Sequence, residues 1–176
     1  MRVLSTTHLF HYALQDGADL ASIAEEGLRP LSDFPDSDRW REIEAQAPGF
    51  FERLYGLVAE PVLGRPYERS GIFLTPVDFR QLPGSLLERR ARLTVPIDRI
   101  DASAAVLTWS IGDERVSRPF GPESLEEAAS LWDAGLVNDW FGRDRTRLFF
   151  HVPQVATYQP RVSTGSADVD PGPAAA

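Results

Sequence analysis

The chain has 176 residues, of which 43% are hydrophobic and 25% charged, and this size and composition predict one globular domain. It contains no cysteine, which excludes disulfides, thiolate metal sites and cysteine nucleophiles. The formal net charge of −8 argues against broad nucleic-acid binding, and no apolar run is long enough to span a bilayer, so we expect a cytoplasmic protein that does not enter the membrane.

The first predicted elements are a strand and a helix. Apolar and aromatic side chains alternate over residues 4–12, which indicates a strand with Leu9 and His11 on one face. Asp19 is a suitable N-cap for the helix that follows, and Gly27 is a suitable left-handed residue to end it.

The middle of the chain is predicted to contain a helix, a loop and one buried strand. Residues 36–58 show helical spacing of apolar and aromatic side chains, interrupted at Pro48-Gly49. Prolines and a glycine mark residues 59–70 as a loop, and a short buried strand follows at residues 72–74. Residues 78–87 are expected to form a broken helix or a turn.

The second half of the chain is predicted to be rich in short strands. They fall at residues 90–97, 104–111, 114–118 and 147–152, with an edge piece at 155–160. A capping box beginning at Ser124 is expected to open one late helix. Short strands with helices placed early and late predict the α+β class rather than a parallel βαβ array.

The domain boundary is placed near the C-terminal end of the chain. Residues 1–162 are predicted to form a single domain, and residues 163–176 a disordered tail. The tail is made of small and polar residues that bury too little apolar area to offset the entropy lost on ordering.

All 18 basic residues are arginine. Without lysine there is no Schiff base and no Walker-type phosphate loop, so any phosphate must be held by arginine, backbone N–H groups or helix N-termini. The densest basic group, Arg89, Arg90 and Arg92, is expected to lie on a solvated surface.

Two segments resemble the ADP-ribosyltransferase-like superfamily: residues 7–12, running on to residues 20–30, and residues 71–76. The resemblance implies a split antiparallel β-sheet core with flanking helices and a cleft for NAD. It also implies that His11 binds ribose hydroxyls, because imidazole both donates and accepts hydrogen bonds. The alternative from the residues alone is a structural histidine bonded to a neighbouring carbonyl or carboxylate.

The same resemblance implies that Phe73 stacks on nicotinamide and that Thr75 lines the pocket. Tyr12 and Gly71 complete the expected NAD-binding set. The alternative is that the strand containing Phe73 is ordinary core. No metal is expected, because His8 and His11 are three residues apart in a strand and face opposite ways.

The third motif of the superfamily departs from its usual pattern in this chain. A glutamate at the start of a late strand is replaced here by Arg145, Thr146 and Arg147. A phosphotransferase related to the tRNA 2′-phosphotransferases, with His11, Arg145 and Arg147 as catalytic residues, is therefore an alternative to ADP-ribosyl transfer to a protein or nucleic-acid acceptor. A third alternative is a non-catalytic binding domain. The sequence does not indicate an oligomeric state.

Overall fold

A computed structural model describes residues 4–12, 20–30, 33–34, 38–46, 48, 61–64, 71–81, 90–111, 114–131 and 152–171. The strands are β1 (His8–Tyr12), β2 (Ile72–Leu74), β3 (Arg92–Pro96), β4 (Ala105–Ile111), β5 (Glu114–Pro119), β6 (Gln154–Thr157) and β7 (Val169–Asp170). The helices are α1 (Leu20–Glu26), α2 (Asp38–Gln46) and α3 (Pro122–Leu131). Short 3-10 turns occupy Phe79–Gln81, Ile97–Arg99, Ala102–Ala104 and Ser166–Asp168.

The strands form two antiparallel sheets, with the orders β1-β3-β7 and β2-β6-β4-β5. The predicted α+β class is confirmed. Strands β4 and β5 form an antiparallel hairpin, which pairs from Ile111 and Glu114 back to Val106 and Pro119.

The two sheets are joined by two isolated backbone bridges, one within β1 and one in the segment just before it. Phe10 and Thr75 exchange hydrogen bonds of 2.7 and 2.9 Å, and the Ser5 N–H donates to the Pro76 carbonyl at 2.7 Å beside the Leu4–Val77 bridge. In the described residues, no further backbone pair joins β1 to β2 beyond Phe10. The strands therefore separate just before His11, and this point is the junction between the sheets.

One hydrophobic core contacts the inner faces of both sheets. Leu9 and Leu93 come from the first sheet and Leu107 from the second, and each is completely buried. Burial of one such side chain contributes about 1.5–3 kcal/mol. Helix α3 adds Leu125 and Ala128 to the same core. The core fixes the two sheets against each other and so fixes the junction at His11.

Gly27 ends α1 as predicted. Its φ is +82°, and its N–H donates to the Ile23 carbonyl at 2.8 Å. A Cβ atom at Gly27 would lie 2.7 Å from the Val162 carbonyl oxygen, because Leu28 and Val162 form a backbone bridge there. Glycine is therefore required both by the backbone conformation and by the close approach of residue 162.

The disordered tail predicted from residue 163 is wrong for residues 163–171, which are ordered. The Thr164 hydroxyl donates to the Ile23 carbonyl at 2.6 Å, Arg99 pairs with Asp168, and β7 pairs with β3. Specific hydrogen bonds and ion pairs hold this segment, and these partners are not visible in a composition low in apolar residues. Residues 172–176 lie outside the described residues.

Two smaller expectations also need correction. The segment predicted as an edge piece is β6, which lies inside its sheet between β2 and β4. Helix α3 begins at Pro122, earlier than the capping box predicted, and the Ser124 hydroxyl instead hydrogen bonds with the N–H and carbonyl of Gly121. Most of the predicted strand at 147–152 lies outside the described residues.

Within the described part of the chain, none of the helices combines the length and the apolar character needed to cross a bilayer.

Candidate functional site

The candidate site is built around His11, at the junction where β1 and β2 separate. The imidazole Nδ1 of His11 lies 3.1 Å from the backbone carbonyl oxygen of Phe73. Because a carbonyl only accepts, Nδ1 must carry the proton in this hydrogen bond. This side-chain hydrogen bond therefore connects β1 to β2 one residue beyond Phe10, whose backbone makes the last bridge between these segments.

The protonation state of His11 follows from its surroundings. Burial lowers the pKa of the imidazole below its usual value of 6.5, and the hydrogen bond to the Phe73 carbonyl only partly opposes this effect. The neutral tautomer with Nδ1–H is favoured, which leaves a lone pair on Nε2. No residue described by the structure hydrogen bonds to Nε2. His11 can therefore accept a hydrogen bond from a ligand hydroxyl.

The ring of Phe73 lies away from this hydrogen bond. It packs against a small cluster on the outer face of the second sheet, made by Val106, Ala156 and Tyr158. A Cβ atom on Gly71 would lie 3.6 Å from the Phe73 Cζ, so Gly71 leaves room beneath the ring. The junction therefore brings His11 to the backbone of Phe73, while the partly buried ring forms part of a hydrophobic cluster.

The Thr75 hydroxyl is occupied by structural hydrogen bonds. It donates to the Pro153 carbonyl at 2.8 Å and accepts from the Val77 N–H at 3.1 Å. Thr75 is buried and bridges Phe10 through its backbone. Its observed contacts hold the β1–β2 junction together.

The Tyr12 hydroxyl is also fully engaged. It donates to Asp78 Oδ1 at 3.2 Å and accepts from the Phe79 N–H at 2.8 Å. Burial, together with the negative charge of Asp78, raises the pKa of Tyr12 to about 12. Tyr12 lies next to His11 in sequence but on the opposite face of β1.

Asp78 is the centre of this polar network. Its carboxylate accepts from Tyr12, from the Arg80 N–H at 3.1 Å and from Gln81 Nε2 at 3.1 Å, and it forms an ion pair with Arg92. Burial alone would raise the pKa of Asp78, but the hydrogen bonds and charge of Arg92, with Gln81, outweigh it and hold that pKa below its usual value.

Arg92 does not lie on a solvated surface as predicted. Its side chain is 18% exposed, its guanidinium pairs with Asp78, and its Cζ lies 5.1 Å from the centre of the Phe10 ring. Burial would lower the pKa of Arg92, but the hydrogen bond and charge of Asp78, with a smaller contribution from Tyr12, outweigh it and raise that pKa. The sequence reading missed Asp78 and its partner Arg92, since nothing in their local pattern distinguishes them from a turn and a strand end.

Other expected residues lie outside the described residues. Arg145 and Arg147, the predicted catalytic arginines, are among them, as is the aromatic stripe predicted within residues 50–58. Among the residues that the structure does describe, no three His, Asp or Glu side chains are grouped as metal ligands.

No family model, no curated protein and no solved structure matches this chain.

Proposed function

We propose that this protein binds a nucleotide at the junction of its two sheets, with NAD as the ligand and His11 as the residue that holds a ribose hydroxyl. One observation carries the proposal: the His11 imidazole donates through Nδ1 to the Phe73 carbonyl, which leaves Nε2 as an acceptor. The resemblance of residues 7–12 and 71–76 to ADP-ribosyltransferase-like proteins selects NAD among nucleotides.

The hydrogen bond to Phe73 prepares the imidazole for this role. If the histidine could rotate or change tautomer, fixing it on a ligand would cost free energy and weaken binding. Here the carbonyl already fixes both the ring orientation and the tautomer, so a ribose hydroxyl can donate to Nε2 without rearrangement. The lowered pKa keeps the imidazole neutral at pH 7, so this acceptor is retained.

We propose binding, with ADP-ribosyl transfer as a separate question. Cleavage of the nicotinamide–ribose bond develops positive charge on the sugar, which a nearby carboxylate would stabilise. Asp78, the buried carboxylate closest to this region along the chain, is already engaged by Tyr12 and Arg92. The described residues therefore support a nucleotide-binding role more directly than a transferase role.

The test is a calorimetric titration of NAD into the wild type and into His11→Asn. Asparagine keeps a donor at the position of Nδ1, so the bond to Phe73 is retained, but it has no atom equivalent to Nε2. We expect the affinity for NAD to fall about tenfold, the value of one well-placed hydrogen bond. Nicotinamide release measured in the same samples shows whether bound NAD is also cleaved.

The matched control is His8→Ala. His8 is on the same strand, faces the other way, and contacts the Thr7 hydroxyl through Nδ1 at 2.9 Å. This variant should bind NAD with the affinity of the wild type. The proposal is wrong if the wild type does not bind NAD, or if His11→Asn and His8→Ala bind it equally well.

A further inference from the structure

A second polar group, unrelated to His11, lies where the C-terminal strand meets the first sheet. Arg80 and Arg92 both pair with the carboxylate of Asp170, the last residue of β7. Arg80 also donates to the backbone carbonyls of Asp170 and Arg90, at 3.3 and 3.2 Å. Two guanidinium groups thus converge on one carboxylate supplied by the end of the described chain.

The two arginines of this group are less exposed to solvent than the carboxylate that they bind. The Arg80 and Arg92 side chains are 19% and 18% exposed, whereas the Asp170 side chain is 42% exposed. The two cations are therefore held within the protein, and the anion between them faces solvent. A ligand that replaced the Asp170 carboxylate would not have to open the core.

The two arginines offer more donors than Asp170 uses. The Nε–H groups of Arg80 and Arg92 are buried, and neither makes a hydrogen bond within the described residues. The Arg92 Nε faces Asp170 Oδ2 only at 3.7 Å, which is an ion-pair contact and longer than a hydrogen bond. Buried donors of this kind normally have an acceptor. A carboxylate presents two oxygens, whereas a phosphate group presents three and a pyrophosphate more, in a geometry that suits guanidinium forks.

The attachment of β7 is short. Only Val169 and Asp170 pair with β3, opposite Leu93 and Arg92. The side chains on this strand are partly exposed, unlike those of the neighbouring β3 positions in the core. A two-residue strand of this kind can leave the sheet at a modest cost in free energy.

We propose that Arg80 and Arg92 form a binding site for phosphate groups, which Asp170 of the protein's own β7 occupies in the absence of ligand. A phosphate-bearing ligand would displace β7 and take the position of its carboxylate. Burial and, to a smaller extent, the charge of Arg92 lower the pKa of Arg80, as expected for a guanidinium held close to a second cation. The site lies on the Tyr12 face of β1 and β3, opposite His11, so it does not depend on the proposal for NAD.

The test is a titration of inorganic pyrophosphate into the wild type and into Asp170→Asn, followed by calorimetry at constant ionic strength. Asparagine keeps the shape of the side chain but removes the competing charge. We expect Asp170→Asn to bind pyrophosphate about tenfold more tightly than the wild type, since a charge-assisted pair no longer has to be broken. Adding Arg80→Gln to this variant should abolish the gain.

The matched control is Asp98→Asn. Asp98 is exposed and lies in the turn Ile97–Arg99, outside the segment 163–171 that carries β7. Its replacement makes the same change in net charge and should leave the affinity for pyrophosphate at the wild-type value. Equal affinities of Asp170→Asn and Asp98→Asn would overturn the proposal.

A measurement on the wild type covers the case in which Asp170→Asn fails to fold. Saturating pyrophosphate should accelerate hydrogen exchange of the amides of Val169 and Asp170, because the ligand displaces β7. The same addition to Arg80→Gln should leave their exchange unchanged. Slower or unaltered exchange of these amides in the wild type with pyrophosphate would contradict displacement.

Discussion

His11 and Tyr12 are consecutive residues of β1 with opposite hydrogen-bonding states. The Tyr12 hydroxyl has both a donor and an acceptor within the protein, from Phe79 and Asp78, so it is committed to the fold. The His11 imidazole uses one nitrogen for the Phe73 carbonyl and leaves the other with a lone pair. The comparison teaches that the residue type does not decide which polar side chain can bind a ligand. The unused hydrogen-bonding capacity of each side chain decides it.

The largest effect is expected from removing Asp78, the carboxylate that binds the Tyr12 hydroxyl and lies at the centre of its polar network. Asp78→Ala should lower the free energy of unfolding by about 3 kcal/mol, because it leaves the largely buried Arg92 with only its longer ion pair to Asp170. Urea denaturation measures the change. The control is Asp98→Ala, which removes an exposed carboxylate and should change stability by less than about 0.5 kcal/mol. Similar values for the two variants would show that the network around Asp78 is not structural.

A smaller effect is expected from Tyr12 at alkaline pH. Its pKa is about 12 in the folded protein, against an ordinary value of 10.0, so the folded state favours the protonated phenol. The stabilisation is complete below pH 10 and is lost as the pH rises from 10 to about 12, a change of roughly 2–3 kcal/mol. Urea denaturation across this range should show the loss in the wild type. In Tyr12→Phe the loss should be smaller, and an equal slope in both proteins would refute the assignment.

The smallest effect is expected from His11 at mildly acidic pH. Its folded pKa lies below 6.5, so the unfolded chain binds the proton more readily. Stability from this group is complete above pH 6.5 and falls as the pH drops from 6.5 towards the folded pKa. His11→Asn cannot titrate, so its unfolding midpoint should depend less on pH in this range. If the two proteins show the same dependence, the imidazole is not held neutral by burial.

Local patterns in the sequence were sufficient for the elements nearest the junction. Alternation predicted the strand that contains His11, and Gly27 marked the end of α1 correctly. Both features depend on residues within a few positions of each other, so a single sequence contains the information.

Local sequence patterns could not predict the polar contacts that determine which side chains keep unused hydrogen-bonding capacity. Tyr12 meets Asp78, and Arg80 meets Asp170, across long separations along the chain. A composition low in apolar residues therefore suggested disorder where Asp170 is ordered. Arg92 was likewise expected to be solvated, because its burial depends on strands and turns that lie far from it in sequence and that its local pattern does not show.

The close approach at Gly27 has a consequence for the order in which the protein folds. The backbones of Leu28 and Val162 exchange two hydrogen bonds of 2.9 Å each. They approach so closely that a side chain at residue 27 would not fit. Contacts between segments so distant along the chain close slowly, because a long loop must be ordered first. During synthesis, the backbone bridge between Leu28 and Val162 therefore cannot form until residue 162 has emerged from the ribosome.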